Sequence, residues 1–285
     1  MTQGIVVGVD GTEQARAAAE WAADEAVLRG TGVHLVHVKE PSPELLLPFV
    51  SREPDESWAE DLLVRTAAEL RARYPGLPVT TRLAVSSGPV PALVAAGGEA
   101  ELLVLGSRAL GSVAGYLLGS TGLTVAGAVD RPVVLVRAHG TTAPRGPVTV
   151  GVDVRQSADP ILEFAFDEAA RRDARVHVVF ALQLGAFAGL GPAMVPDVRL
   201  AVVPELERSL DDSLAPWRAK YPEVAAVHRV VVGSAGQVLV EASGDASLVV
   251  VGRRTRPAAL GAHIGSVAHA VLHHSRAPVA VVPHE

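Results

Sequence analysis

Short apolar runs alternate with longer amphipathic segments from the beginning of the chain. The runs are rich in valine and leucine, end at turn residues, and cover Ile5–Val9, Val33–Val38, Val79–Val85, Leu102–Leu105 and Val133–Arg137. Each run is continuous rather than alternating, which is typical of a strand that a parallel sheet buries on both faces. The pattern therefore predicts five parallel strands.

The segments between these runs predict helices. The first extends over Glu13–Arg29, with Thr12 as its N-cap and with Gly30 ending it. Further helices are predicted over residues 57–74, 90–96 and 120–129. Tryptophans at positions 21, 58 and 217 lie in helical segments and are predicted to pack on helix faces. The alternation of strands and helices indicates an α/β fold with helices on both faces of the sheet.

The chain repeats itself. The segment GIVVGVD, which ends at Asp10, returns as PVTVGVD ending at Asp153, and Leu102–Gly106 returns as Leu248–Gly252. A length of 285 residues suits two domains of ordinary size. The sequence predicts a domain over 1–138, a linker over 139–147 and a domain over 148–285. Each is expected to be a doubly wound, five-stranded parallel sheet, flavodoxin- or Rossmann-like, with strand order 3-2-1-4-5.

Unusual residues follow the first and fourth predicted strands. In this strand order, ligands bind past the carboxyl ends of strands, in the crevice between those two. Asp10-Gly11-Thr12 follows the first strand, and a glycine-rich loop runs from Gly106 into a helix that begins with Ser120-Thr121. Glycines and a helix start both present backbone N–H groups to an anion. Phosphate binding is predicted; the alternatives are a surface loop with a capped helix, and aspartates that cap the helices after them.

Several classes of function are excluded by what the sequence lacks. It contains no cysteine, no GxxxxGK[ST] loop, no GxGxxG after the first strand, no GxSxG and no HExxH. The formal net charge of −6 argues against a nucleic-acid partner. The N-terminus has no basic region before Asp10, so a cytoplasmic protein without a membrane partner is expected. No metal site is predicted, and no residue is assigned a catalytic role.

Five motifs, in this order and repeated in the second half, together resemble the universal stress protein family in its tandem two-domain form. They are VGVDGT (Val7–Thr12), LVHV (Leu35–Val38), LLVLGSR (Leu102–Arg108), YLLGST (Tyr116–Thr121) and RPVVLVR (Arg131–Arg137). The resemblance covers both halves nearly end to end. It implies pairing of the halves through their last strands, Val133–Arg137 and Val279–Val282, into a pseudo-dimer. An exposed apolar edge strand favours the same pairing.

The glycine motif departs from the family pattern in both halves. ATP-binding members carry Gly-x2-Gly-x9-Gly-[Ser/Thr] after the fourth strand. Here Ala109 and Thr255 replace the second glycine, although the spacing is kept. If that position needs a positive φ, a Cβ there costs about 1 kcal/mol, and more for a β-branched residue. The second half also has Val154-Arg155 where the first has Gly11-Thr12, so the first half is predicted to be the better nucleotide site.

The resemblance implies which residues would meet a nucleotide. Asp10 and the backbone around Val38 would contact ribose and adenine, and the glycine loop would hold the phosphates. From their positions in the predicted loops, and not from the resemblance, Arg108 and Arg254 are candidates to pair with phosphate, with solvated loop arginines as the alternative. With the residues beside these included, the full candidate set in the first half is Asp10, Gly11, Thr12, Val38, Gly106, Arg108, Ala109, Gly119, Ser120 and Thr121. In the second half it is Asp153, Ala181, Gly252, Arg254, Gly265, Ser266 and Val267.

Three functions remain open from the sequence. The first is a stress-response protein that binds ATP, with Mg²⁺ as an optional companion, and acts as a sensor or regulator. The second is a universal stress protein that binds no nucleotide and works through protein contacts, which the lost glycines favour. The third is a weak ATPase, for which no general base with a positioned partner is recognisable. A homodimer and an unidentified protein partner are further expectations.

Overall fold

The computed structural model describes residues 3–40, 54–107, 120–138, 146–183, 195–255 and 264–285. In the first half the elements are β1 (Gln3–Gly8), α1 (Glu13–Arg29), β2 (Val33–Lys39), α2 (Pro54–Arg73), β3 (Val79–Val85), α3 (Pro89–Glu99), β4 (Ala100–Ser107), α4 (Ser120–Ala128) and β5 (Val133–Arg137). In the second half they are β6 (Val148–Gly151), α5 (Asp159–Arg171), β7 (Val176–Leu182), α6 (Val195–Lys220), β8 (Ala226–Val232), α7 (Ala235–Ala242), β9 (Leu248–Arg254), α8 (Ser266–His274) and β10 (Val279–His284). Strand and helix alternate in both halves, as the apolar pattern predicts.

The strands of each half form a parallel arrangement with the predicted order. In the first half β1 pairs with β2 and β4, β2 pairs with β3, and β4 pairs with β5, all in parallel. In the second half β6 pairs with β7 and β9, β7 pairs with β8, and β9 pairs with β10, again all in parallel. Both halves therefore have the order 3-2-1-4-5, and the α/β doubly wound fold class is confirmed.

The chain divides into two compact units. The boundary between residues 139 and 140 lies within the predicted linker. The exact bounds 1–138 and 148–285, and the pairing of the halves through β5 and β10, stay predictions. In the part of the chain that the structure describes, no helix combines the length and the apolar character needed to cross a membrane. No three His, Asp or Glu side chains among those residues are grouped as a metal ion would require.

Helix α1 begins and ends at the predicted residues. Thr12 has an extended backbone, and its Oγ1 accepts a hydrogen bond from the N–H of Ala15 at 3.2 Å. Gly30 follows the last turn with a φ of +63°, the left-handed conformation that glycine adopts without strain. The helix packs beside α2, and α3 packs beside α4, which gives the two helical layers. Its buried face is mostly alanine, so its backbone lies close to the sheet.

A buried ion pair repeats near the end of the first helix of each half. The carboxylate of Glu25 is buried and lies 2.5 Å from Nε of Arg29. Glu168, which occupies the same place 143 residues later, is fully buried against the guanidinium of Arg172. Buried carboxylates persist in proteins only with a close partner, since desolvation of an unpaired charge is costly. These pairs therefore belong to the framework of each half.

Candidate functional site at the carboxyl ends of β1 and β4

The turn after β1 presents a carboxylate to solvent. Oδ1 of Asp10 accepts hydrogen bonds from the N–H of Thr12 at 3.0 Å and from its Oγ1 at 2.6 Å. Gly11 between them has a φ of +79°, a conformation that favours glycine. Thr12 caps α1, so the alternative in which Asp10 is the N-cap is wrong. Within the described chain no hydrogen bond reaches Oδ2 of Asp10, and the side chain is exposed.

Gly106 lies where α1 crosses β4. A Cβ at this position would be 2.5 Å from the carbonyl carbon of Gln14 and 2.7 Å from the backbone nitrogen of Ala15. Real Cβ atoms do not approach backbone this closely, so the contact requires glycine. The first turn of α1, and with it Asp10, is thereby held beside the carboxyl end of β4. This packing explains Gly106 without a ligand, and its contact with phosphate stays a prediction.

An aromatic pair lies next to the same turn. Nδ1 of His37 donates a hydrogen bond to the carbonyl of Val9 at 2.7 Å. The His37 ring meets the indole of Trp58 nearly edge-on, with ring centres 5.6 Å apart and planes at 75°. Cζ2 of Trp58 lies 3.1 Å from the point where a Cβ on Gly11 would be. Val38, the next residue of β2, is half-buried.

Trp58, which is predicted to pack on a helix face, contacts His37 and the turn at Gly11 but is not buried. The residue is 44% exposed at the first turns of α2. A pattern of apolar positions cannot tell which end of the sheet a helix residue reaches, since this depends on where the connection from β2 places the helix. A comparison of the two halves can single out Trp58 in the sequence, because Glu205 occupies the equivalent position 147 residues later.

In the second half the corresponding carboxylate, that of Asp153, is hydrogen-bonded through both of its oxygens. Oδ1 of Asp153 accepts from the backbone N–H of Arg155 at 3.1 Å and from its Nε at 2.8 Å. Oδ2 accepts from the other end of the guanidinium at 2.8 Å and from Nε2 of Gln156 at 3.2 Å. The N-cap of α5 is Ala158, so Asp153 does not cap the helix. Both oxygens are therefore occupied by the protein's own side chains.

The residues at the end of β9, Arg254 and Thr255, bond to the protein's own groups, and their backbone shows no strain. Arg254 is the last residue of the strand, and its guanidinium donates to the side chain of Gln156. The N–H and Oγ1 of Thr255 both donate to the carbonyl of His284, at 2.7 and 3.0 Å. Asp173 is the one non-glycine residue with a positive φ in the described chain, so a left-handed backbone does not occur at Thr255. The condition under which Thr255 would be strained, a positive φ, is therefore not met.

The helix after that loop begins at a glycine. Gly265 is the N-cap of α8, with φ −61° and ψ 156°. Ser266 is therefore the first helical residue and not the N-cap. Ser266 and Val267 therefore present backbone N–H groups of the first turn, whereas Ala181 lies half-buried in β7.

The model of the universal stress protein family matches residues 1–137 and, a second time, residues 144–283. This chain belongs to that family. Universal stress protein Rv2005c of Mycobacterium tuberculosis (strain H37Rv) is 35% identical over 289 residues, which span 98% of this chain and 96% of the relative. A crystal structure of a universal stress protein from Archaeoglobus fulgidus has a TM-score of 0.71 at 16% identity, with 100% of both chains covered, and shares the fold. A second structure from that organism, a universal stress protein in complex with dAMP, covers 47% of this chain and 97% of its own at 24% identity and a TM-score of 0.37.

Part of the predicted site of this universal stress protein falls outside the described residues. Arg108, Ala109 and Gly119 belong to that part. The described chain resumes at Ser120, the first residue of α4, followed by half-buried Thr121. The structure thus brings together Asp10, Gly11, Thr12, Val38 and Gly106, with Asp153, Gly252 and Arg254 at the matching edge of the second half.

We expect the carboxylate of Asp153 in this universal stress protein to have a lowered pKa. Hydrogen bonds from Arg155 hold the pKa of Asp153 below its ordinary value, and the charges of Arg155 and Arg254 act in the same direction. Arg155→Thr, which restores the residue of the first half, should raise that pKa toward the ordinary value of about 3.9. Titration of the carboxyl carbon by NMR measures this shift.

The sign of the pH dependence follows from the lowered pKa. The pairing stabilises the fold at pH above about 3.9, and this contribution is lost as the pH falls through the folded-state pKa. Arg254→Ala serves as the control, since a charge acting without the hydrogen bonds should move the midpoint less. An unchanged midpoint in Arg155→Thr would contradict the assignment of the pair.

Proposed function

We propose that this universal stress protein binds ATP at the carboxyl end of the first sheet and acts as a cytoplasmic sensor or regulator rather than as a catalyst. One observation carries the proposal. The exposed carboxylate of Asp10 stands at the point where the winding of the sheet reverses, between β1 and β4, and none of the described residues bonds its Oδ2. This is where doubly wound sheets bind their ligands.

The surrounding groups suit a nucleotide. A carboxylate accepts hydrogen bonds from ribose hydroxyls, and the backbone at Val38 offers a donor and an acceptor to the edge of a base. The N–H groups at the start of α4 and the positive end of its dipole favour phosphate. Mg²⁺, where present, would accompany the phosphates. ATP would thus meet Asp10 at its ribose, the backbone of Val38 at its base and the start of α4, at Ser120, with its phosphates.

The second half is proposed to act without nucleotide, through protein contacts. The specific observation is that Arg155 and Gln156 already occupy both oxygens of Asp153. A ribose would have to displace a bidentate pair between opposite charges and offer uncharged hydroxyl donors in its place. The two halves would then divide sensing and partner binding between them.

Equilibrium dialysis of the purified chain against labelled ATP tests the proposal. We expect one ATP per chain. Gly119→Val should weaken binding by about tenfold or more, since a branched side chain at the motif glycine blocks close approach of phosphate. The matched variant Gly265→Val should change binding by less than about twofold, because the second half contributes little.

Each result bears on a separate part of the proposal. Absence of binding at millimolar ATP would refute nucleotide binding, and equal losses in the two glycine variants would refute the ranking of the halves. ATP hydrolysis is measured alongside, with Asp10→Ala and Ser120→Ala as controls. Turnover that exceeds both controls would favour an ATPase over a regulator.

A further inference from the structure

We propose that the base of the nucleotide stacks on the indole of Trp58, which forms an aromatic wall of the site, and that His37 holds this indole in place. The inference rests on the proposed function and deepens it, because it assigns recognition of the base, as distinct from the phosphates, to one side chain.

The position of the indole supports this assignment. Trp58 belongs to α2, yet Cζ2 of its six-membered ring reaches within 3.1 Å of the Cβ position of Gly11, the residue after Asp10. The indole therefore lies beside the turn that carries Asp10, whose carboxylate is proposed to hold ribose. With 44% of the residue exposed, ring surface remains for a second planar group. In a nucleotide the base is one glycosidic bond from the ribose, so a base joined to a ribose at Asp10 lies within reach of the indole.

His37 orients the indole. The carbonyl of Val9 can only accept a hydrogen bond, so Nδ1 of His37 carries the proton in the 2.7 Å contact between them. This bond ties the imidazole to the end of β1 and sets it edge-on to Trp58, at 75°. Edge-to-face pairs are a favoured aromatic geometry, which leaves the remaining indole surface for offset stacking with a ligand ring.

Gly11 is what allows the indole to come so close. A side chain at this position would meet Trp58 at 3.1 Å and would also have to adopt a φ of +79°. In the second half all three residues differ, with Val154 for Gly11, buried Phe180 for His37 and exposed Glu205 for Trp58. The aromatic wall thus exists only in the half whose aspartate is open.

The test separates the base from the phosphates. Trp58→Leu should weaken ATP binding by about tenfold or more in equilibrium dialysis, because stacking of a base on an aromatic ring contributes on that scale. Trp58→Phe, which keeps a ring, should stay within about threefold of the unmodified chain. Inorganic tripolyphosphate, which has no base, should have the same inhibition constant against labelled ATP in the unmodified chain and in Trp58→Leu.

Two controls guard against general damage. Val64→Ala removes an apolar side chain that is 63% exposed on the same helix, and it should leave ATP binding unchanged. Tryptophan fluorescence tests the contact directly, even in a variant that still binds ATP. ATP should quench the unmodified chain and the variant Trp217→Phe, but not Trp58→Phe, since quenching requires contact between the base and the indole.

The outcomes distinguish the two claims. If the unmodified chain binds ATP and Trp58→Leu binds it equally well, the stacking role is refuted while the proposed function stands. If ATP quenches Trp58→Phe as strongly as the unmodified chain, the stacking role is also refuted. If the unmodified chain does not bind ATP, both the stacking role and the proposed function fall.

Discussion

Replacement of Gly106 by alanine should lower the free energy of unfolding by about 3 kcal/mol, the upper part of the range for overpacked sites. The new Cβ would lie 2.5 to 2.7 Å from backbone atoms of Gln14 and Ala15, which cannot rotate away as a side chain can. Helix α1 would have to move, although Thr12 caps it and its alanine face fixes its distance from the sheet. Thermal unfolding should show a decrease in Tm of roughly 10 °C for a unit of this size.

Two glycine variants provide the comparison. Gly252 is the equivalent residue of the second half, but its Cβ would meet the ends of two side chains, Cδ1 of Ile161 at 2.5 Å and Nε2 of His284 at 2.7 Å. Because these ends can shift, Gly252→Ala should cost about half as much. Gly98→Ala fills open space within α3 and should be neutral or slightly stabilising. A Tm for Gly106→Ala equal to that of Gly98→Ala would refute the close contact.

Replacement of Arg172 by methionine should also cost about 3 kcal/mol, because it leaves the carboxylate of Glu168 buried without its closest partner. The carboxylate is 0% exposed, so water cannot replace the lost guanidinium. We expect the lower end of the range known for broken buried pairs, since Arg171 still lies 3.7 Å from Glu168. Chemical denaturation measures the change, and Arg29→Met should act in the same direction in the first half.

The controls for this pair separate burial from charge. The double variant Glu168→Leu with Arg172→Met should recover much of the loss, because apolar residues of similar size often replace a buried pair without penalty. Arg208→Met breaks a surface pair whose members are 71% and 70% exposed, and it should cost under about 0.5 kcal/mol. Equal effects of Arg172→Met and Arg208→Met would contradict the argument.

The sequence predicted most of the framework because its signals are local. Thr12 and Gly30 mark the ends of α1 without reference to the rest of the chain, and the structure places the helix at the predicted residues. Strand ends were less accurate. The apolar run 102–105 predicted a shorter strand than the observed Ala100–Ser107, since pairing with β1 and β5 continues through residues that are not strongly apolar.

The candidate site was predicted in part. The turn containing Asp10 and Gly11 lies where the sequence placed it, because strand order alone determines which strand ends meet. The exposure of Trp58 depends on how α2 is positioned over β2, which no spacing along the chain encodes. The pairing of Asp153 with Arg155 depends on side-chain conformation, so the substitution was visible in the sequence but its consequence was not.

By itself the sequence determined that this chain is two copies of one α/β domain, since repeated motifs and continuous apolar runs carry that information within short windows. It also determined which strand ends carry the carboxylates. Only the tertiary structure decided that one oxygen of Asp10 meets no hydrogen-bond donor among the described residues whereas both oxygens of Asp153 do, and that an indole lies beside Gly11, the residue after Asp10. The physical reason is that these differences arise from contacts between side chains, which depend on the packing of whole elements and not on local pattern.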